Sequence, residues 1–287
     1  MAKESKVIAC VDGLPSGESV ARHAAWAAQR YGLGLELLHI IERHPALGRE
    51  QDHSGTLGLN AQENLLEQYA ATEEARSRHD REQARALLSQ LRDMAESYGP
   101  PSVDTRLRHG DLAETIESHA SEVGLLVLGR HGRTGGDTQA IGQHVAWTVR
   151  TAKRPALVVG REFNAPRRVV LAFDGSSALR HQVLNWRQDP LLTGLSVHVV
   201  VSGSDASRAQ SICTWATSAL QGQGVEANGQ VMGAPLAQAI AQAIEEHAAD
   251  WVVMGAYSHA WWKRWIQSSH TDQVLNAIQV SSYLIPA

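Results

Sequence analysis

The sequence predicts an α/β protein made of two doubly wound domains, each built on a five-stranded parallel sheet. The first observation is the length of 287 residues, which suits two domains better than one. The second is the regular alternation of short Val/Leu/Ile-rich runs with segments of helical period, typical of parallel strands covered on both faces. The third is an internal repeat, because the second half restates the elements of the first in the same order.

The repeat is clearest where each half begins. Residues 6–13 and 168–175 both consist of a basic residue, an apolar run and the dipeptide Asp-Gly. A helix is predicted after each copy, at about residues 17–31 and 177–187. Each helix leads to a strand, at 35–41 and 195–201, that contains a histidine followed by an aliphatic residue. We take these pairs, His39-Ile40 and His198-Val199, as equivalent.

The remaining elements continue the alternation to the end of each half. Strands are predicted at 103–109 and 225–232, helices at 112–122 and 236–247, strands at 125–129 and 251–255, and last strands at 156–159 and 280–285. We therefore predict domains at residues 1–162 and 166–287, with Phe163–Pro166 as the linker. The last strands are apolar and would otherwise be exposed sheet edges, which proteins avoid. We expect them to pack together, which makes the chain an intramolecular pseudo-dimer.

The first half differs from the second by a long insertion after its second strand. The insertion opens with a Gly/His/polar stretch at 44–58, and helical segments follow. Apolar residues recur there at helical spacing and predict a helix packed on one face: Ala84, Leu87, Leu88, Leu91, Met94 and Tyr98. The polar stretch leaves the carboxyl end of a strand, where a lid and an ordinary surface loop are both open interpretations.

Composition limits the functional classes. The formal net charge of -4 predicts no general attraction to nucleic acid or to an anionic membrane. The N-terminal residues lack the apolar core of a signal peptide, and no apolar run reaches a membrane-spanning length. The two cysteines, Cys10 and Cys213, fall in an apolar run and a helical segment, which predicts reduced core thiols. We expect a cytoplasmic protein with no nucleic-acid or membrane partner.

The segment 125–159 carries the main functional signal, because it reads as strand, glycine loop, helix and strand. Gly129 ends an apolar run, Gly132 follows, and Gly142 precedes an amphipathic segment at 145–152. Unpaired N–H groups and the dipole of a helix N-terminus suit a phosphate, and glycines let the backbone approach it. In doubly wound sheets ligands bind at the carboxyl ends of the strands, where Asp12 and Ile40 are also predicted to lie. A surface loop with a helix cap is the alternative.

Taken together, these motifs resemble a tandem universal stress protein, with two family domains in one chain. The residues that carry the resemblance are Val11-Asp12-Gly13, Phe173-Asp174-Gly175, the second-strand sequences around His39 and His198, and the glycine loop. The resemblance implies an adenine nucleotide α-hydrolase-like fold and a role in stress-linked regulation. It also implies ATP or AMP as the ligand of the nucleotide-binding members, with or without Mg²⁺.

The resemblance assigns roles to individual residues of the first half. Asp12 would meet the ribose or adenine, and Ile40 would contact the adenine. The phosphates would lie along the loop residues Gly129, Arg130, His131, Gly132, Gly142, Gln143 and His144. For His131, His144 and Arg130 the alternative interpretation is that of ordinary loop residues without a nucleotide contact. Gln143 departs from the family pattern, which has Ser or Thr there. No catalytic residue and no metal ligand is predicted.

The second half departs further, so we expect a degenerate nucleotide loop there. Ser258 and Ser268 stand where the family pattern has glycines, and each added Cβ obstructs a phosphate. The same segment carries Trp261, Trp262 and Trp265. These tryptophans either form a contact surface for a second copy or a regulatory protein, or pack on the last helix.

Three functional hypotheses from different classes follow. The first is a nucleotide-binding regulatory protein with little or no turnover, at most slow ATP hydrolysis. The second is a structural, partner-binding dimer in which both sites have decayed. The third is an ATP-using enzyme of a related α/β fold, but the first strand lacks the Ser-Gly-Gly-x-Asp loop that it would need. Walker and Gly-x-Gly-x-x-Gly loops and paired-cysteine zinc motifs are also missing from the sequence.

Overall fold

The computed structural model describes residues 5–13, 16–41, 59–130, 148–149, 151–203, 205–255, 278 and 280–286, without the side chains of 59–71 and 73. In the first half the elements are β1 Lys6–Cys10, α1 Ser16–Tyr31, β2 Leu35–Ile41, α2 Leu59–Glu96, β3 Val103–His109, α3 Leu112–Ser118, β4 Val123–Gly129 and β5 Ala156–Val159. Residues 148, 149, 151 and 152 are also helical. No helix within these ranges is long and apolar enough to cross a bilayer.

The second half repeats this order of elements. They are β6 Arg168–Ala172, α4 Ser177–Leu184, a 3₁₀ turn at Trp186–Gln188, β7 Ser196–Ser202, α5 Ala206–Gln221, β8 Ala227–Met232, α6 Leu236–His247, β9 Trp251–Gly255 and β10 Ser281–Ile285. The predicted helix at 177–187 is therefore divided, because Asn185 ends α4 and the 3₁₀ turn follows it.

The ten strands within the described ranges form one sheet in the order β3-β2-β1-β4-β5-β10-β9-β6-β7-β8. Each half has the doubly wound order, with its first strand beside its fourth, and all pairs within a half are parallel. The halves meet where β5 pairs antiparallel with β10, with Tyr283 opposite Leu157. The predicted fold class and the predicted packing of the last strands are both confirmed.

The sheet separates two apolar layers, because successive side chains of a strand point to opposite faces. On β4, Leu125 and Val127 join the cluster that includes the inner sides of α1, α2, α4 and α5. Leu126 and Leu128 join the other cluster, with residues of α3 and α6. Strand β4 is therefore buried on both faces, which is why it reads as a continuous apolar run.

Helix α2 is one element of 38 residues rather than several helical segments. The predicted apolar stripe is confirmed, since Ala84, Leu88 and Leu91 are at most 4% exposed and Leu87, Met94 and Tyr98 pack beside them. Residues 42–58, which include the predicted polar stretch, lie outside the described part of the chain.

The helix predicted at 112–122 ends four residues earlier. Asp111 caps its start by accepting from the N–H of Glu114 at 2.9 Å. At its end the N–H of His119 donates to Ile116, and that of Ala120 to Glu117, which closes the helix in tight turns. Glu122 lies in the turn beyond, 8% exposed, with a carboxylate oxygen 4.0 Å from Arg106.

Candidate functional site

The candidate site lies at the carboxyl edge of the first half, at the point where the strand order reverses between β1 and β4. Cys10 and Leu128 are paired in register on these strands. Asp12 and Arg130 therefore each lie two residues beyond the pair, abreast at the same edge. This is the switch point at which open α/β sheets bind ligands.

The turn after β1 is held by the neighbouring strand β2. The N–H of Val11 donates to the carbonyl of Leu38 at 2.9 Å, which extends the pairing by one residue. The Nδ1 atom of His39 lies 2.7 Å from the carbonyl oxygen of Val11 and donates to it, since a carbonyl can only accept. His39 is 4% exposed, so this hydrogen bond is shielded from water. It holds the backbone of Val11 in place and thereby positions Asp12, the next residue.

Asp12 is half-buried and oriented by the first turn of α1. The hydroxyl of Ser16 lies 2.8 Å from Asp12 Oδ1 and 3.1 Å from the carbonyl of Gly13, and donates to this pair of acceptors. The N–H of Gly17 donates to the same carbonyl at 2.5 Å. The carboxylate thus lies at the carboxyl edge of the sheet, two residues beyond the end of β1, and its second oxygen can accept a further hydrogen bond.

Ile40 and Gly129 flank this turn on the neighbouring strands. Ile40 is half-buried near the end of β2 and packs against the apolar layer shared with α3. Gly129 is the last residue of β4, half-buried and in register with Val159. Ligand sites usually combine apolar lining with a few polar groups, and Ile40 and Asp12 supply one of each.

Arg130 follows Gly129, and its side chain reaches the other half of the molecule. Its backbone N–H donates to Val159 at 3.0 Å, and its guanidinium donates to the carbonyl of Val280, immediately before β10. Arg130 is 9% exposed, and burial lowers its pKa to about 10, which still leaves it charged at neutral pH. The phosphate contact expected of Arg130 therefore competes with this contact between the halves.

The other predicted loop residues, His131, Gly132, Gly142, Gln143 and His144, lie outside the described residues. The same applies to Ser258 and Ser268 of the second half, and to Trp261, Trp262 and Trp265. The described part of the crevice consists of Asp12, Ile40, Gly129 and the start of the loop at Arg130.

A second buried polar group, which the sequence analysis missed, lies beneath the end of β5. Ser19 donates to the carbonyl of Gly160 at 2.7 Å, and the N–H of Gly160 donates to Ser281 at 3.2 Å. His23 donates from Nδ1 to the carbonyl of Ser19 and lies 3.3 Å from Ser281 through Nε2. With His23 and Ser281 at most 5% exposed, the group is closed to a substrate and links α1 to β10.

The linker takes part in the same packing. The ring of Phe163 meets that of His23 edge-on at 4.9 Å and that of Tyr98 at 5.7 Å. Burial lowers the pKa of His23 to about 4, so the imidazole is neutral at physiological pH. Only a three-dimensional arrangement identifies these partners, because they come from α1, the turn after α2, the linker and β10.

The register of the strands corrects one equivalence that the sequence suggested. Val7 pairs with Leu35, and Val169, its counterpart before the second Asp-Gly, pairs with Val197. The equivalent of His39 is therefore Val201 rather than His198. By the same count Ile40 corresponds to Ser202, whose hydroxyl donates to the carbonyl of Ala234 at 2.7 Å.

The second Asp-Gly turn is also built differently. Asp174 Oδ1 accepts from the N–H of Ser176 at 2.9 Å, and Gly175 has a φ of 74°, which favours glycine. Arg180 donates to the carbonyl of Gly175 at 2.9 Å, and its guanidinium lies 4.4 Å over the ring of Trp215. The second carboxylate is thus engaged within its own turn.

The fold and the crevice define the class: two doubly wound domains, each with its switch point at the carboxyl edge, in one chain. The profile of the universal stress protein family matches residues 4–160 and again 166–286. The chain belongs to the universal stress protein family and carries two family domains in tandem.

Individual proteins agree with this assignment. A universal stress protein of Synechocystis sp. is 24% identical over 278 residues, which cover 96% of this chain and 97% of that protein. A crystal structure of a universal stress protein from Archaeoglobus fulgidus has the same fold, with a TM-score of 0.70, 15% identity and coverage of 98% and 96% of the two chains. A functionally unknown protein from Pseudomonas aeruginosa follows with a TM-score of 0.55, 15% identity and coverage of 99% and 93%.

Proposed function

We propose that this universal stress protein binds an adenine nucleotide, ATP or AMP, in its first half (residues 1–162) and regulates a stress response with little or no turnover. The observation that carries the proposal is that Asp12 and Gly129 both follow the Cys10–Leu128 pair, within two residues of it, at the β1–β4 switch point. Asp12 would accept from a ribose hydroxyl, and Ile40 would pack on the adenine. The loop that starts at Gly129 would follow the phosphates, with or without Mg²⁺.

The contrast between the halves supports assigning the nucleotide to the first. In the first half His39 fixes the turn and leaves an aliphatic surface at Ile40. In the second half the corresponding residues are Val201 and Ser202, and the hydroxyl of Ser202 bonds within the protein. Asp174 accepts from the backbone N–H of Ser176, whereas Asp12 accepts from the side-chain hydroxyl of Ser16. We propose that residues 166–287 serve as the packing partner rather than a second nucleotide site.

Asp12 and Asp174 provide a matched pair of variants for the test. We expect Asp12→Ala to weaken ATP and AMP binding by 10-fold or more, measured by calorimetry, because the sugar loses a charged acceptor worth about 1.5–3 kcal/mol. Asp174→Ala, at the equivalent position, should leave the affinity and the stoichiometry unchanged. Binding that is lost in Asp174→Ala but kept in Asp12→Ala would assign the site to the second half.

Slow turnover is a separate part of the proposal. Hydrolysis needs an oriented water, a base and charge stabilisation beyond that of bound substrate, and binding ground state and transition state alike does not accelerate it. Gln143 replaces the hydroxyl that the family pattern places near a phosphate or metal ion. We expect phosphate release well below one turnover per second with ATP and Mg²⁺. A faster rate that disappears in Asp12→Ala would establish an enzyme instead.

A partner-binding dimer with no nucleotide site is the competing function, and Arg130 is the observation that favours it. Its guanidinium is committed to the carbonyl of Val280 in the other half. Native mass measurement of the purified protein distinguishes the two, because a retained nucleotide adds its mass to that of the 31.2 kDa chain. If neither retained nor added nucleotide binds, the partner-binding function replaces our proposal.

A further inference from the structure

Two histidines hold the last turn of α6 against β7, in a place that the nucleotide proposal does not use. His247 is the last residue of α6, and His198 is the third residue of β7. Their ring centroids are 3.5 Å apart, with 25° between the ring planes, so the rings are stacked face to face. His198 is 8% exposed and His247 is half-buried. We call these residues the imidazole pair.

The side chain of Asn228 fixes the orientation of the inner ring. Asn228 lies on β8, opposite His198 in register, and its Oδ1 atom accepts a hydrogen bond from Nδ1 of His198. With a proton on Nδ1, the neutral ring has its lone pair on Nε2. A further proton is therefore taken up at Nε2.

The surroundings of Nε2 oppose that further proton. The Nε2 atoms of both rings are buried and have no hydrogen-bond partner among the described residues. A proton on Nε2 of His198 would create a buried, charged N–H group without an acceptor, which is costly. It would also place a positive charge against His247, at the end of a helix where the dipole favours a second positive charge. The stack is therefore suited to neutral rings.

The residues that face the pair do not remove this cost. Val170 on β6 and Asn228 on β8 flank His198 in register, and both are uncharged. Among the described residues, Glu246 on α6 acts on the pair with a negative charge, but it is exposed, where solvent screens its attraction. Burial, with His247 adding to it, lowers the pKa of His198 despite Asn228 and Glu246.

The residues that follow the pair connect it to the linker between the halves. Ala248 has a φ of 45°, a left-handed conformation that residues other than glycine keep only where surrounding contacts hold it. The carboxylate of Asp250 accepts from the N–H groups of Arg167 at 2.7 Å and Arg168 at 2.9 Å, directly after the linker Phe163–Pro166. The stack thus holds a strained turn that leads to the residue fixing the start of the second half.

The first half has a different group at the equivalent place. By register, His198 corresponds to Glu36, and Gln230 corresponds to Arg106. Glu36 is 3% exposed, and its carboxylate lies 2.8 Å from the guanidinium of Arg106. In the second half the ion pair is replaced by stacked imidazoles, the side chains whose charge changes between about pH 5 and 8.

We propose that the imidazole pair is a pH-sensitive switch, through which the second half responds to acidification independently of the nucleotide site. At neutral pH the stack holds the last turn of α6 on β7. In acid, a proton on Nε2 of His198 opens the stack and releases the turn that contains Ala248 and Asp250. This gives the chain a direct response to a fall in pH.

The direction of the response follows from the burial of His198. Its pKa is lowered from 6.5 in the folded protein, so the proton binds better once the ring is released. The contribution of the stack is fully present above pH 6.5, and it is lost as the pH falls through the lowered pKa.

The test is amide hydrogen exchange of the full-length protein at pH 7.5 and pH 5.0, followed by mass spectrometry and corrected for the intrinsic pH dependence of exchange. Residues 206–221 of α5, on the other face of the sheet, are the internal reference. We expect the protection of residues 240–250 in acid to fall at least about 10-fold more than that of the reference. An equal loss in both segments would mean that acid loosens the whole half, and would overturn the switch.

The matched variants are His198→Gln and His181→Gln, of which the second removes an exposed histidine of the same half. We expect the excess loss of protection in residues 240–250 to disappear in His198→Gln, because the buried ring that takes up the proton is gone. His181→Gln should keep it in full. An excess loss that persists in His198→Gln would assign the response to other groups and overturn the proposal.

A measurement on the wild type covers the case in which His198→Gln does not fold. Long-range ¹H–¹⁵N spectra resolve the two nitrogens of each histidine ring. As the pH is lowered, Nε2 of His198 should gain its proton below pH 6.5, with the same midpoint as the loss of protection in residues 240–250. A His198 ring that stays neutral to pH 5.0, or one that titrates while this protection is unchanged, would also overturn the switch.

Discussion

At the scale of single residues, Gly229 of β8 shows how closely the second half is packed. A Cβ at this position would lie 2.7 Å from Cys213 Sγ and 2.7 Å from Thr217 Oγ1, both on α5. Because α5 cannot withdraw without opening the core, we expect Gly229→Ala to lower the free energy of unfolding by about 1–3 kcal/mol in urea denaturation. Gly233→Ala is the matched control, since nothing lies within 4 Å of its added Cβ. Equal stability of the two variants would contradict this packing.

His23 predicts how stability changes with pH. Its pKa is lowered from 6.5 to about 4 by burial, so the proton binds better to the unfolded chain. The contribution of neutral, buried His23 to the free energy of unfolding is fully present above pH 6.5. It decreases as the pH falls towards 4 and is lost below pH 4. The whole effect is on the order of 3 kcal/mol.

The measurement for His23 is the free energy of unfolding between pH 7 and pH 4. His23→Gln should flatten the decrease, and the exposed His181→Gln should not. A decrease of the same size in His23→Gln and in the wild type would show that other groups cause it. His198, whose pKa is also lowered by burial, contributes in the same direction.

At the scale of elements, α2 divides into a packed part and an exposed part. From Ala84 to Ala95 every turn buries a residue against the sheet and α1, whereas the described side chains from 72 to 82 are exposed or half-exposed. At 1.5 Å per residue the helix is about 57 Å long, more than the sheet can cover. Among the described side chains of residues 74–82, the contacts include pairs along the helix itself such as Glu74–Arg78, and an isolated helix is only marginally stable in water.

We therefore expect amide hydrogens of residues 72–82 to exchange at least 10-fold faster than those of 84–96. Exchange followed by mass spectrometry resolves the two parts as separate peptides. The buried amides exchange only when the core opens, while the exposed turns open locally. Uniform protection along α2 would mean that another surface covers the exposed part in solution.

At the scale of the whole molecule, Asp189 links the two halves. It accepts hydrogen bonds from the hydroxyls of Tyr31 and Tyr283, both at 2.9 Å, and from Gln182 at 3.1 Å. Tyr31 belongs to α1 and Tyr283 to β10, whose pairing with β5 joins the sheets. Burial, and then the charge of Asp189, raises the pKa of both phenols, so they remain donors.

Asp189→Ala removes the shared acceptor and leaves two phenols in a partly buried place. We expect a loss of about 2–4 kcal/mol of stability, with separate unfolding of the two halves in calorimetry. Asp93→Ala, an exposed aspartate on α2, should leave a single transition at the wild-type temperature. An unchanged transition in Asp189→Ala would mean that the β5–β10 pairing joins the halves without it.

The sequence by itself determined the fold class, the repeat and the pairing of the last strands. Strands buried on both faces appear in the sequence as continuous apolar runs, and an apolar strand at the edge of a sheet needs a partner. Each of these features depends on a short local segment, so the sequence alone reveals it. The Asp-Gly turns and the glycine loop also identified the edge of the sheet that carries the candidate site.

Tertiary structure decided what depends on register and on contacts between distant segments. Matching the His-aliphatic pairs of the two halves made His198 the counterpart of His39. Strand pairing instead places Val201 at that position, and it sets Asn228 opposite His198. Equally, the sequence separates Arg130 from Val280 and His198 from His247, and no local pattern relates them. A side chain's partner across a fold is set by which strands lie side by side, and that is fixed only when the whole sheet has formed.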